Sequence, residues 1–389
     1  MTKFPGLDGL RGWLAWTVVL DHIVFFSGFG LPWISRGQAQ LAGVCAVMIF
    51  IILSGFVITH LVLEKKEPYG LYIARRALRI YPVYLLALLL GVATTFLTFK
   101  AFLTPAGTMD PAAMATLAYP EPDVLMYDHA ALQGGSYLAH LGLHLALLHG
   151  AVSQAFLPHS QLMFLSPAWS LSLEWQFYLV APFVIRAAVH RFAAIGVVVV
   201  ALVLFFLTSM NLFGWWGMPS FLPGASLYFA VGIASRLLVT GKPFRFSVGP
   251  AISLALLAIG FVAIGTWRLP VEIWLVFFAA SRLQRRAAAL GTAFRALFES
   301  RVVRHLGEAS YSTYLVHVPL LQLAMALAVR LALAPATATA TLFVAASTLV
   351  STWAVSRLAW RWIEQPFIER GKRLRGEGST GEPAAASGA

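Results

Sequence analysis

The chain has 389 residues, of which 59% are hydrophobic and only 11% are charged. A soluble protein needs about a quarter of its residues charged to cover its surface, so this composition excludes an ordinary soluble globule. A net charge of +12 would suggest nucleic acid binding in a soluble protein. In a membrane protein the same excess follows from retention of Lys and Arg on the cytoplasmic side. We therefore predict a membrane protein that contacts lipid and binds no nucleic acid.

Apolar runs of about 20 residues recur along the chain, whereas a membrane barrel would show alternating strands of about ten residues. They predict an all-α fold class, a polytopic membrane protein with about ten transmembrane helices. The predicted spans are 12–28, 41–63, 79–99, 168–186, 193–211, 219–238, 248–266, 270–283, 310–332 and 337–359. One transmembrane domain then fills residues 1–370. The polar stretch 371–389 is predicted to be a disordered cytoplasmic tail.

The basic residues predict how these spans are oriented. With the N-terminus and the C-terminus both cytoplasmic, 24 of the 28 Lys and Arg residues lie on the cytoplasmic side. One missed crossing would reverse every later loop, so this asymmetry supports the span count. The first span has no small-residue cleavage site before it and is expected to act as an uncleaved signal anchor. The long external segment 100–167 contains a short apolar stretch, 137–149, which is predicted to be an interfacial or re-entrant helix.

Ionisable residues inside membrane spans are costly, so each one is a functional hypothesis. In the first span Arg11 and His22 lie eleven residues apart, which places them on one helix face roughly 16 Å apart. Asp21 precedes His22, but neighbouring helical residues point about 100° apart and need not touch. Arg75 and Arg76 lie four and three residues before Arg79, so two or three guanidiniums can converge at the cytoplasmic mouth of the third span. These either anchor the span on the cytoplasmic side or bind an anion such as phosphate.

The fourth span opens with the sequence SPAWSLSLEWQFYL. Ser170, Glu174 and Tyr178 follow one another at intervals of four residues and therefore share one helix face. An unpaired carboxylate at the depth of Glu174 would be expensive. We therefore expect Glu174 to face the interior of the bundle, either paired or protonated.

The ninth span carries the sequence YSTYLVH, in which Tyr311, Tyr314 and His317 are three residues apart on a slowly rotating stripe. Tyr at a membrane interface is more often a belt residue than a catalytic one, so this stripe is a weak signal by itself. His140 and His144 have the spacing of a helical metal pair, but no Glu lies between or beside them. We predict no metal site.

Six blocks in chain order carry a resemblance that covers residues 4–370. They read FPGLDGLRGWLAWTVVLDH, FIILSGFVIT, RRALRIYP, SLSLEWQFYL, YSTYLVH and IEQPF. Together they resemble the acyltransferase-3 family of membrane O-acyltransferases. Arg11 and His22 match the Arg and His of the family's opening block, and Arg76 and Arg79 match its Arg-x-x-Arg. Asp21 is a departure, because members more often have an apolar or aromatic residue before the His.

The resemblance implies an O-acetyltransferase of the bacterial inner membrane. It would move an acetyl (acyl) group from cytoplasmic acyl-CoA, usually acetyl-CoA, to a hydroxyl of an envelope polysaccharide or an exported glycan. His22 is implied as the base, with Glu174 expected to steady it, and Arg11, Arg76 and Arg79 as residues on the CoA side. Acyl-CoA is then a donor substrate, and no cofactor is bound permanently. A carbohydrate or small-molecule hydroxyl is the acceptor.

Two other interpretations remain open. The enzyme could act on a macrolide or lipid hydroxyl instead of a polysaccharide. A secondary transporter, a different class of protein, would also place His, Glu and Arg inside a helical bundle. A transporter should show paired broken helices in two repeated halves, and no such symmetry is found in the sequence. The sequence does not choose between direct transfer and an acyl-enzyme intermediate, nor does it fix the oligomeric state.

Overall fold

The computed structural model describes residues 4, 6–27, 35–104, 108, 110, 131, 134–239, 260, 268–331, 333 and 338–374. This described part is built from helices and contains no β-strand. In chain order the helices are α1 (Leu7–Ser27), α2 (Arg36–Lys65), α3 (Tyr69–Phe102), α4 (Tyr137–Leu145), α5 (Ala168–Ala188), α6 (Arg191–Ser209), α7 (Leu222–Leu237), α8 (Leu269–Leu283), α9 (Ala288–Phe294), α10 (Arg301–Glu308), α11 (Ser310–Arg330), α12 (Ala338–Ala359) and α13 (Gln365–Arg373). The all-α class predicted from the sequence is confirmed for these residues.

Helices occupy nine of the ten predicted span positions. The remaining prediction, 248–266, lies outside the described residues apart from Gly260. Within the described part of the chain, four helices are long and apolar enough to cross a bilayer: Gly37–Lys65, Tyr69–Phe102, Ser310–Arg330 and Thr339–Arg373. The total number of spans and the cytoplasmic position of both termini stay predictions.

Two shorter segments refine the predicted boundaries. Helix α4 has nine residues, which at 1.5 Å per residue gives about 14 Å. That is less than half the thickness of a hydrocarbon core, so α4 cannot cross a bilayer. Helix α13 continues through Arg373, so the first three residues of the predicted tail 371–389 are helical. Residues 375–389 lie outside the described part of the chain.

Helix α2 is the central element, and local sequence sets where it begins. The Ser35 hydroxyl accepts a hydrogen bond from the backbone N of Gln38, and the Gln38 side chain accepts one from the backbone N of Ser35. This capping box starts the helix earlier than the apolar run alone predicts. Many of its apolar side chains are buried, and those of Met48 and Ile52 are fully so. Helix α2 thereby packs against α1, α5, α7 and α8.

Glycines let α2 and α7 approach closely. A Cβ atom on Gly232 would overlap the carbonyl oxygen of Ile52 and lie 2.7 Å from the backbone N of Phe56. On the facing helix, a Cβ atom on Gly55 would lie 2.6 Å from the carbonyl oxygen of Phe229. Lipid provides no hydrophobic drive for helices to associate, so close backbone packing between small residues has to hold such a pair together.

We expect Gly232→Ala to destabilise the protein by about 1–3 kcal/mol, because the overlapping atoms belong to backbone that cannot move aside. Thermal unfolding of the purified protein in detergent measures this effect. Gly196→Ala is the matched control, since a Cβ atom at this α6 glycine would meet nothing within 4 Å. The control should keep or raise the melting temperature, because Ala favours helix over Gly by about 1 kcal/mol. Equal melting temperatures for the two variants would contradict the close contact.

Candidate active site

Polar side chains from α1, α2, α3, α5 and α11 meet along one line through the bundle. One end of this line is the arginine cluster, formed by Arg11, Arg76 and Arg79. The other end is the histidine cavity, a cavity that His22 lines. The α1 residues Arg11 and His22 mark the two ends, and roughly 16 Å of helix separates them.

In the arginine cluster three guanidiniums lie close enough for their charges to interact. Arg79 interacts electrostatically with Arg11 and with Arg76. The Nε atom of Arg76 is buried without a hydrogen-bond partner, and Arg79 forms no hydrogen bond with any described residue. The cluster therefore keeps N–H donors that an anion such as phosphate can use.

Glu174 lies beside this cluster and interacts electrostatically with Arg11 and Arg76. Its carboxylate accepts a hydrogen bond of 2.7 Å from Ser54 of α2 and a second from Tyr178, one turn further along α5. The expectation that Glu174 is paired inside the bundle is met. No hydrogen bond joins Glu174 to His22, so the structure does not bring these two residues into contact.

A second carboxylate, Glu364, faces the cluster from the π-helical turn that joins α12 to α13. It is 3% exposed, accepts a hydrogen bond of 2.7 Å from Ser312, and interacts electrostatically with Arg79 and Arg11. Tyr311 lies nearby and donates to the carbonyl oxygen of Ile80 at 2.7 Å. Sequence reasoning missed Glu364, although it stands in the IEQPF block that carries part of the family resemblance.

Arg75 belongs to a different arrangement from its neighbours Arg76 and Arg79. It pairs with Glu67 and donates hydrogen bonds to the carbonyl oxygens of Gly371 at 2.9 Å and Leu374 at 2.8 Å. A cation that binds the last carbonyls of a helix stabilises that end. Arg75 therefore fastens the end of α13 to α3, and its guanidinium is already occupied.

The middle of the polar line is a contact between α5 and α11. The hydroxyl groups of Ser170 and Tyr314 lie 2.7 Å apart, and Tyr314 donates to the carbonyl oxygen of Pro167 at 2.9 Å. Tyr314 is buried and also lines the histidine cavity. The alternative that this tyrosine is an interfacial belt residue is therefore wrong.

His22 and His317 are in direct contact between α1 and α11. Nδ1 of His22 lies 3.1 Å from Nε2 of His317 and 3.0 Å from the carbonyl oxygen of Val18. A carbonyl oxygen can only accept, so Nδ1 of His22 carries the proton and Nε2 of His317 is the second acceptor. This assignment follows from the hydrogen-bond geometry. Nε2 of His22 then keeps its lone pair and has no hydrogen bond to any described residue.

The histidine cavity encloses about 1190 Å³ of empty space, including space open to the surroundings. Its wall is mostly apolar and includes Phe25, Val44, Trp169 and Met325. A mostly apolar pocket with a few convergent polar groups is the usual form of a small-molecule site. His22 stands in this wall with a free ring nitrogen, so the cavity combines a binding volume with a base.

Asp21 lines the same cavity but faces α2 instead of His22. A Cβ atom on Gly43 of α2 would overlap the Asp21 carboxyl group. This close approach answers the question that the sequence left open, because Asp21 packs on the neighbouring helix and forms no hydrogen bond with His22.

The three histidines of the 137–149 segment do not line the histidine cavity. His140, His144 and His149 are fully buried, and the rings of His144 and His149 stack with centroids 3.9 Å apart. Over the described ranges, no group of three or more His, Cys, Asp and Glu residues has an arrangement that could hold a metal ion.

Comparison with known proteins gives consistent results. A family model described as an acyltransferase domain, of the acyltransferase-3 type, matches residues 4–357. The acyltransferase MdmB of Streptomyces mycarofaciens is 27% identical over 347 residues, which cover 83% of this chain and 80% of that relative. The O-acetyltransferase OatA of Staphylococcus aureus is 23% identical over 400 residues. This match covers 94% of the chain but only 57% of OatA. No solved structure matches the chain.

The family match extends over nearly the whole chain, and so confirms the resemblance that the six sequence blocks carry. It also favours an enzyme over the secondary transporter, since both relatives are named as acyl-transferring enzymes. An acyl donor and a hydroxyl acceptor are the partners that such an enzyme requires. Together with its long apolar helices, these findings show that the chain belongs to the acyltransferase-3 family and is a membrane O-acyltransferase.

Proposed function

We propose that this enzyme transfers an acetyl group from cytoplasmic acetyl-CoA to a hydroxyl of an acceptor that enters the histidine cavity from outside the inner membrane. One observation carries the proposal: the polar line joins free guanidinium donors at one end to a histidine with an unprotonated Nε2 at the other. The predicted topology, with both termini cytoplasmic, puts the arginine cluster on the side where CoA is available.

The donor docks with its phosphates at the arginine cluster. Arg76 and Arg79 supply charge-assisted hydrogen bonds, and Arg11 adds positive charge from α1. Glu174 and Glu364 offset the mutual repulsion of these guanidiniums electrostatically, and Glu174 takes this role instead of steadying His22. The pantetheine arm extends past Tyr314 and carries the thioester along the polar line to His22.

The transfer step needs one base, and His22 supplies it. Nε2 of His22 takes the proton of the acceptor hydroxyl as the oxygen attacks the thioester carbonyl. The new C–O bond forms, the C–S bond breaks, and the CoA thiolate leaves and takes up the proton from His22. Because no described Ser hydroxyl bonds to His22, we propose direct transfer without an acyl-enzyme intermediate.

The acceptor is an exported molecule with a hydroxyl and an apolar part. An envelope polysaccharide offers hydroxyls, but the mostly apolar wall of the histidine cavity favours the macrolide or lipid alternative. Apolar surface in a pocket contributes to affinity when it is covered by apolar surface of a ligand. The acceptor therefore places its apolar part against Phe25 and Trp169 and its hydroxyl at His22.

We expect His22→Ala to lower acetyl transfer by about 10²–10⁴-fold, because it removes the general base. Membranes that carry the variant are supplied with isotope-labelled acetyl-CoA, and acetylated products are measured by mass spectrometry. His305→Ala is the matched control, since this α10 histidine is exposed on the surface and pairs with Glu308. Acetyl transfer that survives His22→Ala, at normal expression and insertion, would remove His22 from the reaction.

His317 is a positioning residue that fixes the proton on Nδ1 of His22. We expect His317→Ala to lower kcat by about 3–10-fold, the equivalent of one lost hydrogen bond, without changing KM for acetyl-CoA. His317→Gln offers an amide oxygen that can accept the same proton, and it should recover part of the loss. A parallel rise in KM for the donor, or no rescue by Gln, would argue for a general structural role instead.

We expect Arg79→Ala to raise KM for acetyl-CoA by about 10–100-fold, because one charge-assisted contact contributes about 1.5–3 kcal/mol. KM for the acceptor should stay unchanged. Arg75→Ala is the control on the same helix, because its guanidinium is bound to Glu67 and α13. The control should lower the melting temperature and leave KM for acetyl-CoA alone. If Arg79→Ala and the unaltered enzyme had equal KM values for acetyl-CoA, Arg79 would not bind the donor and would serve only to anchor the span on the cytoplasmic side.

A further inference from the structure

The histidine cavity contains a carboxylate that the transfer reaction does not use. Asp21 is 9% exposed, and its Oδ1 atom is buried without a hydrogen-bond partner. It forms no ion pair with any residue that the structure describes. An unpaired carboxylate inside a membrane protein is costly, and such groups commonly mark a ligand or ion path.

Asp21 does not orient His22 through a hydrogen bond. The protonated Nδ1 of His22 is already occupied by the Val18 carbonyl oxygen and by His317. The Asp21 carboxyl group instead packs on α2 at Gly43, where any larger residue would overlap it. The glycine makes room for a carboxyl group in the cavity wall, beside the base but separate from it.

The surroundings of Asp21 favour a positively charged ligand group. Among the described residues that line the histidine cavity there is no Lys or Arg, and most of these residues are apolar. Charge in surroundings of low polarity interacts strongly with an opposite charge and poorly with neutral groups. A cation on the bound molecule would therefore relieve the unpaired carboxylate better than a neutral hydroxyl.

We propose that the acceptor is an amphipathic amino alcohol, a largely apolar molecule with a protonated amine near the hydroxyl that is acetylated, and that Asp21 binds this amine. The proposal rests on the proposed function, because it takes His22 as the base that receives the hydroxyl proton. It makes Asp21 a specificity-determining residue that selects for charge, and it separates this acceptor from neutral glycans and polyols.

The helix geometry limits the distance between the two acceptor groups. Neighbouring residues on α1 diverge by about 100°, so the ends of the Asp21 and His22 side chains lie on the order of 6–9 Å apart. Two hydrogen bonds of about 2.8 Å each, one to the amine and one to the hydroxyl, span most of that distance. The amine and the hydroxyl therefore stand on adjacent carbon atoms or with one carbon between them.

A pair of isosteric alcohols tests the proposal on the full chain in lipid nanodiscs with acetyl-CoA. The probes are trans-2-(dimethylamino)cyclohexanol and trans-2-isopropylcyclohexanol. The tertiary amine stays cationic and cannot itself hold an acetyl group, so mass spectrometry detects only the O-acetyl ester. We expect kcat/KM to be about 10–100-fold higher for the amine, the effect of one charge-assisted contact. Asp21→Asn should abolish this preference, so that the two probes are acetylated with equal kcat/KM.

Three results would overturn the proposal: equal use of the two probes by the unaltered enzyme, no transfer to either probe, or a preference for the amine that persists in Asp21→Asn. If Asp21→Asn does not fold, the preference of the unaltered enzyme between the two probes decides alone.

Slow hydrolysis of acetyl-CoA in the same samples separates this proposal from the proposed function. If His22→Ala abolishes the hydrolysis of acetyl-CoA but the unaltered enzyme shows no preference for the amine probe, only the proposal of an amino alcohol acceptor is overturned. If His22→Ala changes neither the hydrolysis of acetyl-CoA nor acetyl transfer to the probes, the proposed function itself is overturned.

Discussion

The arrangement of this enzyme depends on the need of every ionisable group in a lipid-embedded bundle to find a partner inside the protein. Glu174 is held by Ser54 and Tyr178, and Glu364 by Ser312. The Ser54 contact joins α2 to α5, and the contact between Ser170 and Tyr314 joins α5 to α11, so polar groups fix the positions of these three helices relative to one another. The polar line therefore holds the helices together, in addition to the catalytic role proposed for it.

Groups without a partner stand out against this background. The Nε atom of Arg76 and the Oδ1 atom of Asp21 are buried and unpaired, and they occur at opposite ends of the polar line. Arg75 is a useful contrast, because it has the same charge as Arg76 but is saturated by Glu67 and the end of α13. In the proposed function an anionic donor satisfies Arg76, and a cationic acceptor group satisfies Asp21. In this proposal the unpaired Arg76 binds the donor, whereas the saturated Arg75 holds α13 to α3.

Sequence patterns predicted the helices and the stripes well, because both follow from local periodicity. The shared face of Ser170, Glu174 and Tyr178 and the proximity of Arg76 to Arg79 needed only helical geometry. Contacts between helices distant in sequence were not predictable in this way. The contact of His22 with His317 spans 295 positions, and Ser54 is 120 positions from Glu174.

The position of Glu364 near the arginines could have been predicted from the sequence, whereas the orientation of Asp21 could not. Glu364 stands in the IEQPF block, and the cost of an unpaired carboxylate beside an apolar span is a signal that could have pointed to a partner among the arginines. The orientation of Asp21 depends on Gly43, and nothing in the local sequence relates these two residues.

In the proposed function, separation of the donor site from the acceptor site has a chemical consequence for a membrane enzyme. The polyanionic part of CoA carries too much charge to enter an apolar cavity, whereas the acyl thioester is small and neutral. Because the guanidiniums lie roughly 16 Å from His22, the charged part of CoA can remain at the membrane surface while only its pantetheine arm extends inward. The acceptor then meets the thioester in apolar surroundings, where bulk water competes poorly with a bound hydroxyl for the activated carbonyl. In this scheme one helix, α1, carries Arg11 at the donor end, His22 as the base, and Asp21 to select the acceptor.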